Sequence, residues 1–541
     1  MEFDYCNLFV SCVLVIEIFK IIILKKYFTS LNIIFALEAL VVVLASTGLI
    51  ARETILVWTG LAVFYMIFSP AEDSLWLVIA SIPLFAALPV TENFDTMANW
   101  RILVAVLFLC LFFRRGISVN LIKNSVGLWR IKENLRHYVM ERLAAGFLLI
   151  CALSIWAAEY KILAVKKLLF LVNIFLLFLI VRNLTRNKEA TLRVWQAAAI
   201  GGIIAIVIAL FQFLAVFFAP LINFWQFWAG RVIGFFYGHN LSDLLAYTNT
   251  WFAYYKSAPP TLRLFSVFPD SHSFAMFSLI SVPIFLSLAL YYRQKNRLKI
   301  FFWIIAALAL FGAVFSGSRG VWISALPVAG AALYFWFKEA DKKLPKQAIL
   351  SLIIFVFIFF ISTGYPLLFY KIQAWQTGQY STSTLSFFER ARSISDLDEI
   401  SNKGRLEIWR NGIVSLKQHS LLGVGVGNFI TVLNENVSAA KQGASAHNLY
   451  LDIASEIGVL GLIILLVMFA DILWTAWLVW RHAREPYFRF FGLLFGLYFV
   501  WILGYSFFDV VLLNDKVLLF FMVSTATLYS LRNMIFDPKK I

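Results

Sequence analysis

Residues 404–462 read GRLEIWRNGIVSLKQHSLLGVGVGNFITVLNENVSAAKQGASAHNLYLDIASEIGVLGL. The stretch is polar as far as His447-Asn448 and then runs straight into the apolar residues 449–479. A run of that length fits a bilayer-crossing helix, which needs about 20 apolar residues because only a helix satisfies its own backbone groups in hydrocarbon. A histidine and several arginines therefore stand where the chain meets both water and lipid. Within the polar part, Leu406, Trp409, Ile413 and Leu416 recur at steps of three and four, which predicts an amphipathic helix over 404–419 lying on a bundle. Gly423-Val424-Gly425-Val426-Gly427-Asn428 resembles a phosphate loop but lacks the strand, helix and later carboxylate of a dinucleotide fold, so it reads as a tight turn. At the junction Asn448 or Ser445 caps the helix, and Asp452 and Glu456 fall on one face of its first turns. The helix exceeds the bilayer thickness, so its polar start projects into a vestibule, and Trp474, Trp477 and Trp480 mark its far end.

The rest of the chain has the same character. Hydrophobic residues make up 61%, charged residues 14%, and the mean hydropathy is +0.82. A soluble globule holds about 45–50% apolar residues, which excludes that class. The fold class is an all-α polytopic membrane protein. Apolar runs at 6–24, 32–50, 54–69, 73–89, 98–113, 143–159, 165–182, 195–218, 272–291, 300–315, 320–337, 347–363, 449–479, 490–508 and 515–532 predict roughly 13 to 15 spans. The leader is acidic (Glu2, Asp4) and its apolar run continues into further spans, so the first helix is expected to remain. Cys6, Cys12, Cys110 and Cys151 have no CxxC spacing and indicate neither a disulfide framework nor a thiolate metal site.

The net charge of +16 would suggest nucleic acid in a soluble protein, but here the basic clusters fall in alternate loops. Lys25-Lys26, Arg114 through Arg142, Arg182 through Arg193, Arg293 through Lys299, Lys338 through Lys346, Arg481 through Arg489 and the tail are assigned to the inside. The N-terminus is then outside and the C-terminus inside. Lys161, Lys166 and Lys167 fit this alternation least well. The two longest polar segments, 219–271 and 364–446, come out on the non-cytoplasmic face with Ser316-Gly317-Ser318-Arg319, His239, His272, His419 and His447.

Four parts follow. Residues 1–113 are N-terminal helices of unassigned role, read as a packing module; Glu92 and Asp95 there make no metal site. Residues 114–363 form a membrane core that includes a basic link at 114–142 and an aromatic interfacial segment at 219–271. That segment closes on Arg263 and Phe268-Pro269-Asp270-Ser271-His272, with Asp270 or Ser271 as the cap of the next helix. Residues 364–446 are a large periplasmic loop between the fourth- and third-last membrane segments, and 447–541 are the C-terminal three-helix part. An arginine as deep as Arg319 is costly without a partner or a wet cavity, which makes it a functional candidate. Asp396-Leu397-Asp398 resembles a metal pair for nucleotide sugars, but on that face it reads as a solvated turn.

Taken in order, several short marks resemble the bacterial O-antigen ligase and O-antigen polymerase superfamily. They are Arg263 with Phe268-Pro269-Asp270; Ser318-Arg319-Gly320; Gly404-Arg405-Leu406 with Trp409; Gly423-Val424-Gly425 with Gly427; His447-Asn448; and Glu456-Ile457-Gly458-Val459-Leu460-Gly461-Leu462 before three closing spans. The resemblance covers roughly residues 195–532. It implies a GT-C type membrane glycosyltransferase of the bacterial inner membrane, acting on the periplasmic side in lipopolysaccharide or other polysaccharide biosynthesis. The donor would be an undecaprenyl-diphosphate-linked glycan, with no metal, no nucleotide sugar and no other cofactor. The family usually carries Asn where this chain has Asp270, and has fewer spans.

On that reading Arg263, Arg319 and Arg405 bind the diphosphate, since a planar guanidinium grips phosphate bidentately and is always charged. His447 acts as general base on the acceptor hydroxyl and gives inversion. Asn448, Glu456 and Asp270 support, although Glu456 is far along the helix for contact with His447. The acceptor can be a lipid-linked core, as for a ligase; another carrier-linked repeat, as for a polymerase; or a protein hydroxyl. A flippase or exporter for lipid-linked oligosaccharide is the rival class. It would show internal repeats or broken helices in matched halves, and it leaves His447 without a task.

Overall fold

The computed structural model describes residues 29–90, 97–115, 138–239, 251–255, 258–338, 343–378, 400–433 and 445–536. The candidate span 6–24, Glu92 and Asp95, most of the link 114–142, and Asp396-Leu397-Asp398 lie outside these residues.

The helices in chain order are α1 (Ser30–Ser46), α2 (Thr54–Phe68), α3 (Ala71–Ala80), α4 (Trp100–Arg115), α5 (Val139–Ser154), α6 (Lys161–Leu184) and α7 (Lys188–Phe218). The short α8 (Leu221–Phe227) and α9 (Gly234–Tyr237), separated by a π-turn at 228–233, lead to a hairpin of β1 (Phe252–Tyr255) and β2 (Ala258–Leu262). Then come α10 (Ser271–Tyr291), α11 (Asn296–Phe315), α12 (Arg319–Lys338), α13 (Lys343–Ser362) and α14 (Tyr365–Thr377). The chain closes with α15 (Ile400–Gln418), α16 (Leu449–His482), α17 (Pro486–Tyr505) and α18 (Asp515–Phe536). The protein is an all-α polytopic membrane protein.

Among the described residues nine helices are long and apolar enough to cross a membrane, or up to ten if α13 and α14, bent by 41°, form one span. The difference from the 13 to 15 expected has local causes. The apolar helices α1 and α2 have only 17 and 15 residues. The run 73–89 is not one helix: α3 stops at Ala80, a 3₁₀ turn carries Pro83, and the backbone beyond is extended. Proline cannot donate to a helix interior, and the extended piece finds other partners. Ala87 N donates to Phe236 O (3.0 Å), Ala86 N to Asn99 Oδ1 (3.2 Å), and Ala87 bridges Ala98.

The hub is α10, whose most apolar window is 94% buried. Its sequence SHSFAMFSLISVPIFLSLALY is apolar all round, as a fully enclosed helix should be. Small residues on its neighbours bring those helices close: a Cβ at Gly202 of α7 would lie 2.7 Å from Phe285, and one at Gly312 of α11 would lie 2.8 Å from Phe274. Around α10 stand α7, α11, α17 and α18.

Successive helices reverse direction, so the bundle has two chemically distinct ends. One carries Arg182 with Glu141, Lys188 with Glu485 (2.8 Å), Arg193 with Asp73, and the loops holding Arg293, Arg297, Arg481 and Arg489. The other carries α8, α9, the hairpin, the Arg319 helix start, α15 and His447, and is called the site end below.

The long helix α16 is broken at Ile457 (φ −126°) and Gly458 (φ +74°). Into the break docks the glycine turn. Val424 N donates to Ser455 O (2.9 Å), Gly425 N to Glu456 O (2.9 Å), and Val459 N to Ser420 O (2.8 Å), so the backbone groups freed by the break are satisfied from α15's exit loop. Gly423, Gly425 and Gly427 all have positive φ. The 423–428 stretch is thus a turn that clamps another helix.

Candidate active site

Asn448 ends the approach to α16 as its N-cap: Oδ1 accepts from Tyr450 N (3.0 Å) and Leu451 N (3.1 Å). The residue before it, His447, has φ +46°, a left-handed conformation that a non-glycine residue adopts only under constraint. The constraint is visible on both sides. Ala446 N donates to Asp452 Oδ1 (2.9 Å), Ala446 O accepts from Trp409 Nε1 (2.9 Å), and Leu449 N donates to Ser506 O (2.8 Å). His447 is thereby pinned between α15, α16 and the turn after α17, with a side chain 42% exposed.

That turn carries Asp509, whose side chain is 10% exposed. Oδ1 lies 3.9 Å from His447 Nδ1, and Oδ2 lies 2.9 Å from His272 Nδ1. His272, in the first turn of α10, also meets Tyr505 OH at Nδ1 (2.9 Å) and Arg263 Nη2 at Nε2 (3.1 Å). Arg263 in turn donates Nε to Ser316 O (2.7 Å), and Tyr505 OH accepts from Ser318 Oγ (2.9 Å). A continuous polar chain therefore links the end of β2, the starts of α10 and α12, the turn after α17, and His447. Burial alone would raise the Asp509 carboxyl, but the charge and hydrogen bond of His272, followed by the nearby imidazole of His447, hold it well below the usual carboxylate range.

The sequence candidates distribute as follows. Arg263 is inside this chain. Arg319 opens α12 beside it: a Cβ on Gly320 would lie 2.9 Å from Phe508 and Tyr505, so that helix start abuts the Asp509 turn. Arg405 is half-buried on α15, one turn before Trp409, and makes no hydrogen bond to the cluster among the described residues. Asp270 caps α10, accepting from Ser273 N (2.7 Å) and Ser273 Oγ (2.6 Å). Burial raises its carboxyl against the opposing pull of nearby His272. Glu456 is turned elsewhere: it accepts from the backbone of Gly427 and Phe429 and so fastens the glycine turn rather than His447.

Three site residues escaped the sequence reading: His272, Tyr505 and Asp509. His272 directly follows the Phe268-Pro269-Asp270-Ser271 run, which was its only local signal. Asp509 sits in Phe507-Phe508-Asp509-Val510, an acid in an apolar turn near the end of a span, and that setting was the available clue.

A family model described as O-Antigen ligase matches residues 304–466. That match, over less than a third of the chain, supports a likeness to the O-antigen ligase/polymerase superfamily. It takes in Arg319, Arg405, the glycine turn, His447 and Glu456, while Arg263, His272 and Asp509 lie outside it. The chain is also similar to an uncharacterized protein of Haemophilus influenzae, 23% identical over 201 residues, which are 35% of this chain and 47% of that protein. The match thus spans about half the length of that relative.

In an O-antigen ligase-type site the arrangement has a clear chemical capacity. Arg263 and the Arg319 helix start offer fixed positive charge, His447 offers a half-exposed imidazole, and Asp509 joins the two through His272.

Proposed function

We propose that the protein transfers a glycan from an undecaprenyl-diphosphate carrier to an acceptor hydroxyl, at an active site on the periplasmic face of the inner membrane. The observation that carries the reading is the Arg263–His272–Asp509–His447 chain, which brings residues from three distant segments to one end of the bundle.

In the proposed reaction Arg263 and Arg319, with Arg405 closing from α15, hold the carrier diphosphate. They stabilise the charge that grows as the anomeric C–O bond breaks. His447 removes the proton of the acceptor hydroxyl as its oxygen attacks the anomeric carbon from the opposite side, so configuration inverts. The diphosphate leaves as a stable anion and needs no general acid and no metal. Asp509, 3.9 Å from His447 Nδ1, stabilises the protonated imidazole by its charge.

The test is transfer by the purified full-length protein with a carrier-linked glycan, in EDTA. His447→Ala should lower the rate by about 10²- to 10⁴-fold. Undiminished transfer by that variant, or a strict need for a divalent cation, would overturn the mechanism. Lipid core, carrier-linked repeat and peptide acceptors run side by side separate ligase, polymerase and protein glycosylation.

A further inference from the structure

The basic loops that join the spans cluster at the end away from the site, yet α6 begins at the site end with Lys161, Lys166 and Lys167. Its start is fixed there by Tyr160 N, which donates to Asn428 Oδ1 in the glycine turn (2.8 Å). On α4 beside it stands Arg101. The two helices are locked together where Asn173 Nδ2 donates to Arg101 O (2.9 Å).

Arg101 and Lys167 converge on one ring. The Arg101 guanidinium carbon is 5.7 Å from the Phe170 centroid and 5.7 Å from that of Trp100, and Lys167 Nζ is 5.9 Å from Phe170. Among the described residues neither cationic head has a hydrogen-bonding or ion-pairing partner, and Arg101 Nε is buried with none. The neighbouring carboxylates are otherwise engaged. Asp515 accepts from Trp100 Nε1 (3.1 Å), Asp452 accepts from Ala446 N (2.9 Å), and Glu456 accepts from Gly427 and Phe429. Lys167 packs against the glycine turn, since a Cβ on Gly427 would lie 3.1 Å from Lys167 Cβ. Two cations without a hydrogen-bonding partner among the described residues thus stand at the site end, on α4 beside the start of α18 and on α6 against the glycine turn, whereas Arg263 and His272 reach Asp509 from β2 and α10.

We infer that Arg101 and Lys167 form a second anion subsite that holds the phosphate of an acceptor amphiphile while His447 addresses its hydroxyl. The inference rests on the transfer reading above. The ligand chemistry is a phosphate ester on a lipid anchored at the membrane surface. A cation held against an aromatic face keeps its outward N–H groups available for phosphate oxygens, and half-burial strengthens those bonds. Lys161 and Lys166, exposed along the same helix, would add attraction for an anionic headgroup.

The experiment counts bound undecaprenyl diphosphate on the full-length protein in neutral phosphatidylcholine nanodiscs by native mass spectrometry. The wild type should take two equivalents. Arg101→Gln with Lys167→Gln should lose one, through a roughly 10- to 100-fold weaker second site. The remaining equivalent certifies that this variant is folded, and Arg263→Gln should lose the other one instead. A single equivalent on the wild type, or two on the double variant, would overturn the subsite. Displacement of the second equivalent by phosphatidylglycerol at equal concentration would also overturn the acceptor assignment, by showing a site for bulk lipid headgroups. Two equivalents without any glycan transfer would leave the subsite standing and remove the transferase reading, so the two failures are distinguishable.

Discussion

Asp509 is the residue on which the site's electrostatics turn, because both of its oxygens face histidines. Its carboxyl is held well below the usual range, so the ionised form contributes stability above the ordinary aspartate value of about 3.9. That contribution is lost only as pH falls through the depressed folded value. Asp509→Asn should remove this acid-side dependence, read from thermal unfolding against pH, and should lower transfer by roughly 10²-fold or more by releasing both imidazoles. A variant with wild-type rate would leave Asp509 a purely structural part. Asp270 has the opposite sign. Its raised carboxyl contributes most below the unfolded value, and that contribution fades as pH rises through the folded one. Asp270→Asn keeps the cap on α10 and should remove the fading, whereas Asp270→Ala should cost about 1 kcal/mol in denaturant titration. The two caps, Asp270 and Asn448, were legible in the sequence because a cap reaches only three residues. Asp509 and His272 were not, since they meet across more than two hundred residues and neither carries a local pattern that points to the other.

At the scale of elements, the break in α16 and the turn that fills it behave as one unit. A Cβ at Gly458 would lie 2.0 Å from Leu421 O, and one at Gly423 would lie 2.4 Å from Ser455 O. Both positions also have positive φ, so neither space nor backbone admits a side chain. Gly458→Ala should therefore expel the turn, free the hydrogen bonds of Val424 and Gly425, and lower stability by about 2 kcal/mol or more, seen as a drop in Tm. Gly330→Ala serves as the contrast: it lies within α12 with no atom near the added carbon, and should raise stability by about 0.5–1 kcal/mol. An equal effect at both positions would deny the clamp. The amphipathic helix α15 was readable because its apolar residues recur at helical spacing. The break was hidden because Gly458 sits in an otherwise apolar run, where hydropathy registers a span and not its continuity.

Across the whole molecule, the charge pattern makes a claim about orientation that the helix alternation turns into a measurable one. Lys188, Arg193, Arg297 and Arg489 share one end, and His447, Asp509 and Arg263 the other. A membrane protein keeps its basic loops in the cytoplasm, so the site end should face outward. Hydropathy showed a bundle from the sequence but overcounted uninterrupted spans, because it cannot see that Pro83 ends α3 and sends the chain on in extended form. The direction of each passage survives that miscount, since the extended residues still carry the backbone from Asp73 at the basic end to Ala87 near Phe236 at the site end. In a background with the four native cysteines replaced, exposed Ser420→Cys and exposed Arg297→Cys lie at opposite ends. A membrane-impermeant maleimide added to intact spheroplasts should modify position 420 at once and position 297 only after lysis. Labelling of 297 from outside would invert the bundle and put His447 on the side where a translocated carrier-linked glycan is absent, removing the donor the proposed chemistry requires.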